Sequence, residues 1–266
     1  MGAGYTHKQG EHKDVVRRGL YWLMARARPT DHGLDLQEGT MYAQGLAAIA
    51  LCEAYAMTKD PALKEAAQGA VDFIVWAQDK KGGGWRYRPG EPGDTTVTGW
   101  QLMALKSAQM GPLEVPRSTI YLAEHFLTSV QRDGGARYAY LPHDRHALGT
   151  QTTAAIGLLC RMYTGWKRAN PGLRRGVALL ARWGPSKDDM YYNYYATQVL
   201  YHWGGSSWEL WNRCLRDYLV STQASVGHES GSWYFSGPHA QVGGRLYVTA
   251  MAALILEVYY RHMPLY

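Results

Sequence analysis

The sequence predicts an all-α protein, because its apolar residues follow a helical period and no strand pattern longer than about four residues accompanies them. Two kinds of helix alternate along the chain. About five are small or apolar on nearly every side, as in GLAAIALCEAYA, and about five have a single apolar face. A helix that is apolar all round is buried all round, whereas a one-sided helix covers a core. We therefore expect an α/α toroid of about five inner and five outer helices.

The predicted inner helices recur at intervals of roughly 40–55 residues, a period typical of helical repeats. A small residue opens the apolar part of each one: Gly45, Gly99, Ala154, Ala196 and Ala250. The predicted inner spans are 41–57, 96–110, 150–164, 190–203 and 245–261. Loops into these helices would leave the ring at one end, so residues far apart in sequence would meet at one mouth.

The predicted outer helices are one-sided. In the span 61–77, Leu63, Ala67 and Ile74 share one face, and Pro61 stands near the start, where a missing N–H is harmless. The other predicted outer spans are 13–27, 115–131, 170–183 and 206–222. We expect residues 1–12 to form an N-terminal extension and residues 13–266 to form a single toroid domain, whose start is consistent with a piece of a longer chain.

Composition limits the classes of partner. The net charge of +6 is spread thinly over the chain, so we expect no nucleic-acid partner. No apolar run reaches the roughly 18 residues that span a bilayer, so we expect no transmembrane segment. Cys52 and Cys160 lie inside apolar helical runs, and with Cys214 they form no paired pattern. Buried thiols of this kind weakly favour the cytoplasm, and the localisation otherwise stays open.

The ends of three outer helices share a second pattern. An aromatic and an aliphatic residue precede Gln78, Gln131 and Gln223 at the same spacing, and a glycine-rich turn follows each. Two of these turns contain a tryptophan, Trp85 and Trp233. Glycine allows the tight turn, the indole would cover it, and the glutamine would satisfy backbone groups at the helix end.

This pattern resembles the repeat of squalene–hopene cyclases, whose fold is shared by the β subunits of protein prenyltransferases. The resemblance covers nearly the whole chain and implies an α/α toroid with terpenoid-related chemistry. The chain departs from both catalytic patterns. The cyclase motif D-x-D-D-T is matched by Gly93-Asp94-Thr95-Thr96, without the neighbouring carboxylates, and Met190 stands where prenyltransferases have a zinc-binding cysteine. We therefore expect the family's catalytic machinery to be absent, and we expect neither a metal nor a cofactor.

Three aspartates are the catalytic candidates. Asp94 stands at the head of a predicted inner helix, where a carboxylate is either a helix cap or an acid held at the mouth. Asp188 and Asp189 form the only adjacent aspartate pair, which could share a proton or simply begin the next inner helix.

The ligand-binding candidates are polar and aromatic residues of the loops and first turns at the expected mouth. They are Tyr42, Trp100, Gln101, Tyr138, His146, Gln151, Tyr191, Asn193, Tyr194, Gln198, Trp233, Arg245 and Tyr247. Aromatic rings with polar tips suit a half-wet site and can stack on a ligand or attract a cation.

Three functions remain open. The first is a binding module that takes an apolar or isoprenoid-like small molecule, or a peptide, beside a possible neighbouring domain of the parent chain. The second is an enzyme of the terpene cyclase type, an isomerase or lyase that uses Asp94 or the Asp188–Asp189 pair as its acid. The third is a polysaccharide lyase or glycoside hydrolase, which would need two opposed carboxylates across a groove.

Overall fold

The protein is all-α, as the sequence predicts. The computed structural model describes residues 1–144 and 146–261, and helices make up most of them. The helices are α1 (Lys13–Arg26), α2 (Met41–Thr58), α3 (Pro61–Ala77), α4 (Thr95–Met110), α5 (Arg117–Val130), α6 (Gln151–Tyr163), α7 (Pro171–Trp183), α8 (Met190–Trp203), α9 (Gly205–Thr222), α10 (Ala240–Leu256) and α11 (Val258–Arg261). Two short antiparallel pairs join β1 (Arg28–Thr30) to β2 (Gly33–Asp35), and β3 (Gln131–Arg132) to β4 (Arg137–Tyr138).

The even-numbered helices α2, α4, α6, α8 and α10 pack on one another in chain order and form the inner layer. Helices α4 and α8 are buried on nearly every side. Odd-numbered helices form the outer layer, except α11, which follows α10 and contacts α8: α3 packs on α2 and α4, α5 on α4 and α6, α7 on α6 and α8, and α9 on α8. The predicted alternation of buried and one-sided helices is therefore confirmed, while closure of the inner series into a complete ring stays a prediction.

The first and last inner helices differ from the prediction that they are buried all round. On α2, Leu46 and Met57 each expose 46% of their surface, and on α10 Leu246 exposes 83%. The reason is their position in the series: α2 has α4 as its inner neighbour, α10 has α8, and in the described residues α10 does not pack closely along α2. Each therefore keeps one apolar stripe that no inner helix covers.

The glycine-rich turns have the same hydrogen bonds in two repeats. The Trp85 indole N–H donates to the Ile74 carbonyl oxygen at 2.7 Å, and the Trp233 indole N–H donates to the Leu219 carbonyl oxygen at 2.7 Å. The expectation for glutamine needs correction, since the tryptophan satisfies the carbonyl in the last helical turn. Gln78 instead donates to the Gly83 carbonyl oxygen at 2.8 Å, inside the turn.

Gly83 shows why the turn needs glycine. Its φ is +81°, and a Cβ added there would lie 1.9 Å from the Leu122 carbonyl oxygen. The backbone of the turn thus lies directly against the next outer helix, α5, with no room for a side chain.

Within residues 1–12, His7 and Lys8 contact the start of α3. His7 is buried, and its Nε2 lies 2.7 Å from Oδ2 of Asp60, the N-cap residue of that helix. The Lys8 ammonium approaches the same oxygen to 2.6 Å. Lys8 first and His7 second lower the pKa of Asp60 through these contacts.

Two further expectations concern the burial of the cysteine thiols and the presence of a helix that could span a membrane. Cys52 and Cys160 are buried, and burial raises the pKa of each thiol to about 12, whereas Cys214 is exposed. Among the described residues, no helix has both the length and the apolar character that crossing a bilayer requires.

Candidate functional site

The first turns of the inner helices meet at one end of the inner layer. The Tyr42 hydroxyl on α2 lies 2.6 Å from the Thr96 hydroxyl on α4, and the Trp100 indole N–H on α4 donates to the Tyr191 hydroxyl on α8 at 2.8 Å. The Thr152 hydroxyl on α6 donates to Asp189 at the start of α8 at 3.2 Å. We use the name mouth cluster for Tyr42, Asp94, Thr96, Trp100, Tyr191 and Tyr247.

Asp94 is the buried acid of the mouth cluster. It has no exposed surface and caps α4, where its Oδ1 accepts hydrogen bonds from the backbone N–H groups of Thr96 and Val97 and from the Thr96 hydroxyl, at 2.8–2.9 Å. Its second oxygen, Oδ2, is also buried but receives no hydrogen bond of good geometry from the described residues. One half of the carboxyl therefore caps the helix, and the other half has an unused acceptor.

The surroundings of Asp94 raise its pKa. Burial raises the pKa of Asp94 and outweighs the hydrogen bonds, which lower it. The Arg86 guanidinium approaches Oδ2 only to 4.0 Å, beyond hydrogen-bonding distance. The Tyr140 hydroxyl lies close enough to Asp94 to lower its pKa, but it does not have hydrogen-bond geometry to Oδ2, and it lies 3.0 Å from the Tyr87 hydroxyl. Asp94 thus holds its proton to higher pH than an exposed aspartate does.

The tyrosines of the mouth cluster are neutral hydrogen-bonding groups. Burial raises the pKa of Tyr42 to about 12, and it also raises the pKa values of Tyr191 and Tyr247. The Tyr247 hydroxyl is buried without a hydrogen-bond partner among the described residues. The mouth cluster therefore contains two unused polar atoms, the Tyr247 hydroxyl oxygen and Asp94 Oδ2. Besides burial, Asp94 raises the pKa of Tyr42, and Tyr42 raises the pKa of Tyr247.

His239 and Gly244 lie at the irregular start of α10, beside the mouth cluster. Gly244 has φ +61° inside the range of α10 and separates a first turn from the regular helix that the sequence predicts from residue 245. His239, with φ +67°, places its ring 5.7 Å from that of Tyr191 and 6.3 Å from that of Tyr247, edge to face. The irregular start of α10 thus brings an imidazole to the mouth cluster.

The Asp188–Asp189 pair serves as a helix start. Asp189 caps α8, since its Oδ1 accepts from the Tyr192 N–H at 2.9 Å. Asp188 is exposed, and its carboxylate accepts from the Ser186 hydroxyl at 2.8 Å. The two carboxylates bind separate local partners.

Several predicted ligand-binding residues make internal contacts instead. Gln101 is wholly buried and donates to the Met41 carbonyl oxygen at 2.8 Å, which links α4 to α2. The side-chain amide of Asn193 accepts from the Ser186 backbone N–H and donates to the Ser186 carbonyl oxygen. Gln198 accepts from the Tyr163 hydroxyl at 3.2 Å. Their hydrogen bonds make them packing residues of the inner layer.

The remaining candidates divide by exposure. Tyr138 and Trp233 are buried against neighbouring helices, and Tyr194 stacks on Trp100 with ring centroids 5.5 Å apart. His146 and Gln151 are exposed. Arg245 forms an ion pair with Glu229 at 2.9 Å. Thr96, which was not among the candidates, links Tyr42 to Asp94, and its signal in the sequence is its place in the run of threonines that follows Asp94 at the start of α4.

A scan against protein-family models finds no match for this chain, and a search of curated proteins finds none. Within residues 1–144 and 146–261, no group of three or more histidine, cysteine, aspartate or glutamate side chains could hold a metal ion. The geometry of the mouth cluster is therefore the basis on which a function is proposed.

Proposed function

We propose that the chain is a toroid-like module that binds a small ligand at the mouth cluster. The ligand would have an apolar body and a head group that donates a hydrogen bond, as an isoprenoid alcohol does. The observation that carries the proposal is the buried Oδ2 atom of Asp94, which accepts no hydrogen bond of good geometry from the described residues.

A buried acceptor without a donor costs about 1–3 kcal/mol, so it marks a place where a partner from outside the fold is favoured. A ligand hydroxyl could donate to Asp94 Oδ2. The Tyr247 hydroxyl, the second unused polar atom of the mouth cluster, is a further hydrogen-bonding group on the α10 side.

The aromatic side chains support the apolar half of the ligand. Trp100, Tyr191 and Tyr195 pack edge to face or tilted, with ring centroids 5.3–6.2 Å apart. The Trp100 indole N–H donates to the Tyr191 hydroxyl, and Trp100 and Tyr195 are buried, so an apolar ligand body would pack at the edge of this ring cluster beside Tyr191. The resemblance to terpenoid-binding toroids agrees with an isoprenoid body.

A thermal-shift comparison of farnesol with farnesene, the hydrocarbon that lacks the hydroxyl, tests the proposal. At about 100 times the Kd, a ligand adds about 2.7 kcal/mol of stability, which raises the Tm of a domain of this size by about 5–10 °C. We expect this shift with farnesol and a much smaller one with farnesene. Equal shifts, or none, would contradict the proposal, and a shift with an unrelated peptide instead would favour a peptide ligand.

Variants locate the site. Tyr42→Phe removes the hydroxyl that bonds Thr96, and Asp94→Asn replaces the unused acceptor by an amide donor. Both should reduce the farnesol shift. Tyr121→Phe, at a tyrosine that is 71% exposed on α5, is the matched control and should leave the shift unchanged.

A second function is favoured by one specific observation, the raised pKa of Asp94. A neutral carboxylic acid under a cluster of aromatic rings can protonate an alkene or an alcohol and stabilise the cation that forms. Incubation with farnesol or squalene, followed by product analysis with gas chromatography and mass spectrometry, distinguishes this enzyme from a binding module. Products made by the wild type and absent with Asp94→Asn would favour catalysis.

A further inference from the structure

A separate cavity lies at the other end of the inner layer, between the first and last inner helices. Its volume is about 190 Å³. Its apolar walls come from both uncovered stripes and from two stacked rings: Leu46, Ile49, Ala50, Trp100, Tyr194 and Leu254. The stripes that α2 and α10 leave uncovered therefore line a partly open cavity, in whose wall Leu46 is 46% exposed.

Trp100, itself a member of the mouth cluster, separates this cavity from the other members of the cluster. Its indole N–H donates to Tyr191 on the mouth side, while its ring stacks on Tyr194, which lines the cavity, with an angle of 17° between the planes. The two sites share this wall, but the carboxyl and hydroxyl groups of Asp94, Tyr42 and Tyr247 do not line the cavity.

The size and chemistry of the cavity select a ligand class. An apolar cavity of about 150 Å³ in another protein stays dry and binds benzene. Most of the lining is apolar, and the Arg261 guanidinium at its edge is paired with the Glu53 carboxylate at 2.9 Å, which leaves Glu257 as a further charged residue there. Water would therefore find few partners inside, whereas a molecule of one or two aromatic rings would bury apolar surface on both sides.

A smaller cavity of about 130 Å³ lies next to it and forms a vestibule. The vestibule is lined by Met57, Met110 and Tyr260, and it shares Met1, Gly2, Glu53 and Arg261 with the inner cavity. These four shared residues thus stand between the vestibule and the inner cavity. Methionine side chains are flexible and adapt to varied apolar shapes, which suits an entrance.

The shared residues close the passage from two sides. Arg261 bonds Glu53 and, at 3.3 Å, the Tyr194 hydroxyl, so these contacts hold α11 to α2 and α8. Gly2 lies against α10 so closely that an added Cβ would be 2.4 Å from a carboxylate oxygen of Glu257. Residues 1–4 are in turn held by the contacts of His7 with Asp60.

We propose that this cavity is a second binding site, for a neutral apolar molecule of one or two aromatic rings. Residues 1–4 and the Glu53–Arg261 ion pair form the plug that a ligand passes to enter from the vestibule. The site does not depend on the function proposed for the mouth cluster.

Binding is tested with 1-naphthylamine, a neutral two-ring fluorophore whose emission moves to shorter wavelength in apolar surroundings. We expect saturable binding to the wild type. Ala50→Leu fills the cavity from α2 and should weaken the affinity at least about tenfold, or 1.4 kcal/mol. Ala178→Leu, an exposed helical alanine on α7, is the matched control and should bind as the wild type does.

Absence of saturable binding, or equal affinities for the two leucine variants, overturns the site. Should Ala50→Leu fail to fold, Leu46→Trp carries the same test, because Leu46 is half exposed and lines the same cavity. Retained affinity in a folded Leu46→Trp variant overturns the site as well.

A reversible disulfide tests the plug. A Cβ at position 2 would lie 3.0 Å from Glu257 Cβ, close to the separation of about 3.5–4.5 Å in disulfides, so Gly2→Cys with Glu257→Cys can lock the segment to α10. Cys214→Ser removes the exposed thiol from the background. Stopped-flow fluorescence should show slower association of 1-naphthylamine for the oxidised protein than for the same protein after reduction. Equal rates would refute the plug and leave the cavity itself to the affinity test.

Discussion

Asp94 has two separable roles, and substitutions at this position can distinguish them. Asp94→Asn keeps an oxygen that accepts from Thr96 and Val97, and asparagine is as good a helix cap as aspartate. Asp94→Ala removes the cap, worth about 1 kcal/mol, and leaves two buried N–H groups without acceptors. Each unsatisfied group costs about 1–3 kcal/mol, so the two together, which are the same bonds as the cap, give about 2–6 kcal/mol, and we take about 3 kcal/mol, toward the lower end, as the expected loss for the alanine variant.

For a domain of this size, a loss of about 3 kcal/mol lowers the Tm by about 6–12 °C. We therefore expect a clearly lower Tm for Asp94→Ala and a Tm within about 2 °C of the wild type for Asp94→Asn, both measured by differential scanning calorimetry. Both variants should lose the farnesol shift, since neither presents the unused acceptor. A farnesol shift that survives in Asp94→Asn would refute the site, and an asparagine variant as unstable as the alanine one would show that Oδ2 also supports the fold.

The pH dependence gives an independent check on Asp94. Its native pKa is raised above the usual 3.8, so the folded protein binds this proton more tightly than the unfolded chain. The stability that Asp94 contributes is therefore complete below about pH 3.8, falls as the pH rises toward the native pKa, and stays at its lower value above it. Asp94→Asn lacks this titration, so the stability of the variant relative to the wild type should rise across that window.

Three further predictions concern the repeat turns and the N-terminal segment. Gly83→Ala should prevent stable folding, because its Cβ would meet a backbone carbonyl oxygen. Gly90 has φ +73° but open space around it, so Gly90→Ala should lower the free energy of unfolding, measured with urea, by only about 1 kcal/mol. Trp85→Phe should lower the unfolding free energy by about 2 kcal/mol, because the indole N–H bond to a buried carbonyl is lost. Asp60→Asn keeps the helix cap but loses the charge contacts, so trypsin should cleave after Lys8 faster than in the wild type; an unchanged cleavage rate would show that these contacts do not hold the segment.

The local pattern predicted the helices closely. The apolar period placed an outer helix at 61–77, and the structure has Pro61–Ala77; it placed an inner helix at 96–110, and the structure has Thr95–Met110. Both kinds of helix have sequence signals within one or two turns, namely a cap, a proline at the start or a continuous apolar face. Such signals are local, so they can be read without knowing the fold.

The contacts that complete the candidate sites were not predictable in the same way. Glu53 and Arg261 are separated by 208 positions, and nothing near either residue announces the other. Glu53 is nevertheless the one charged residue of the apolar stretch GLAAIALCEAYA, which is a signal that a partner must exist, although not which one. The unused oxygen of Asp94 is likewise a property of the assembled mouth, since its other oxygen makes an ordinary helix cap.

The two candidate sites follow from how a linear series of repeats is arranged. Each inner helix between two others is covered on both sides, as α4 and α8 are, and has little surface left for a ligand except at its ends. The first turns of the inner helices supply the mouth cluster, because their polar cap residues and tyrosines contact one another at an end of the inner layer that no further helical turn covers. The first and last helices supply the second cavity, because each lacks one neighbour. The buried Asp94 and the Glu53–Arg261 pair each belong to particular copies of the repeat and not to all of them. We therefore infer that binding specificity lies in the residues by which the copies differ.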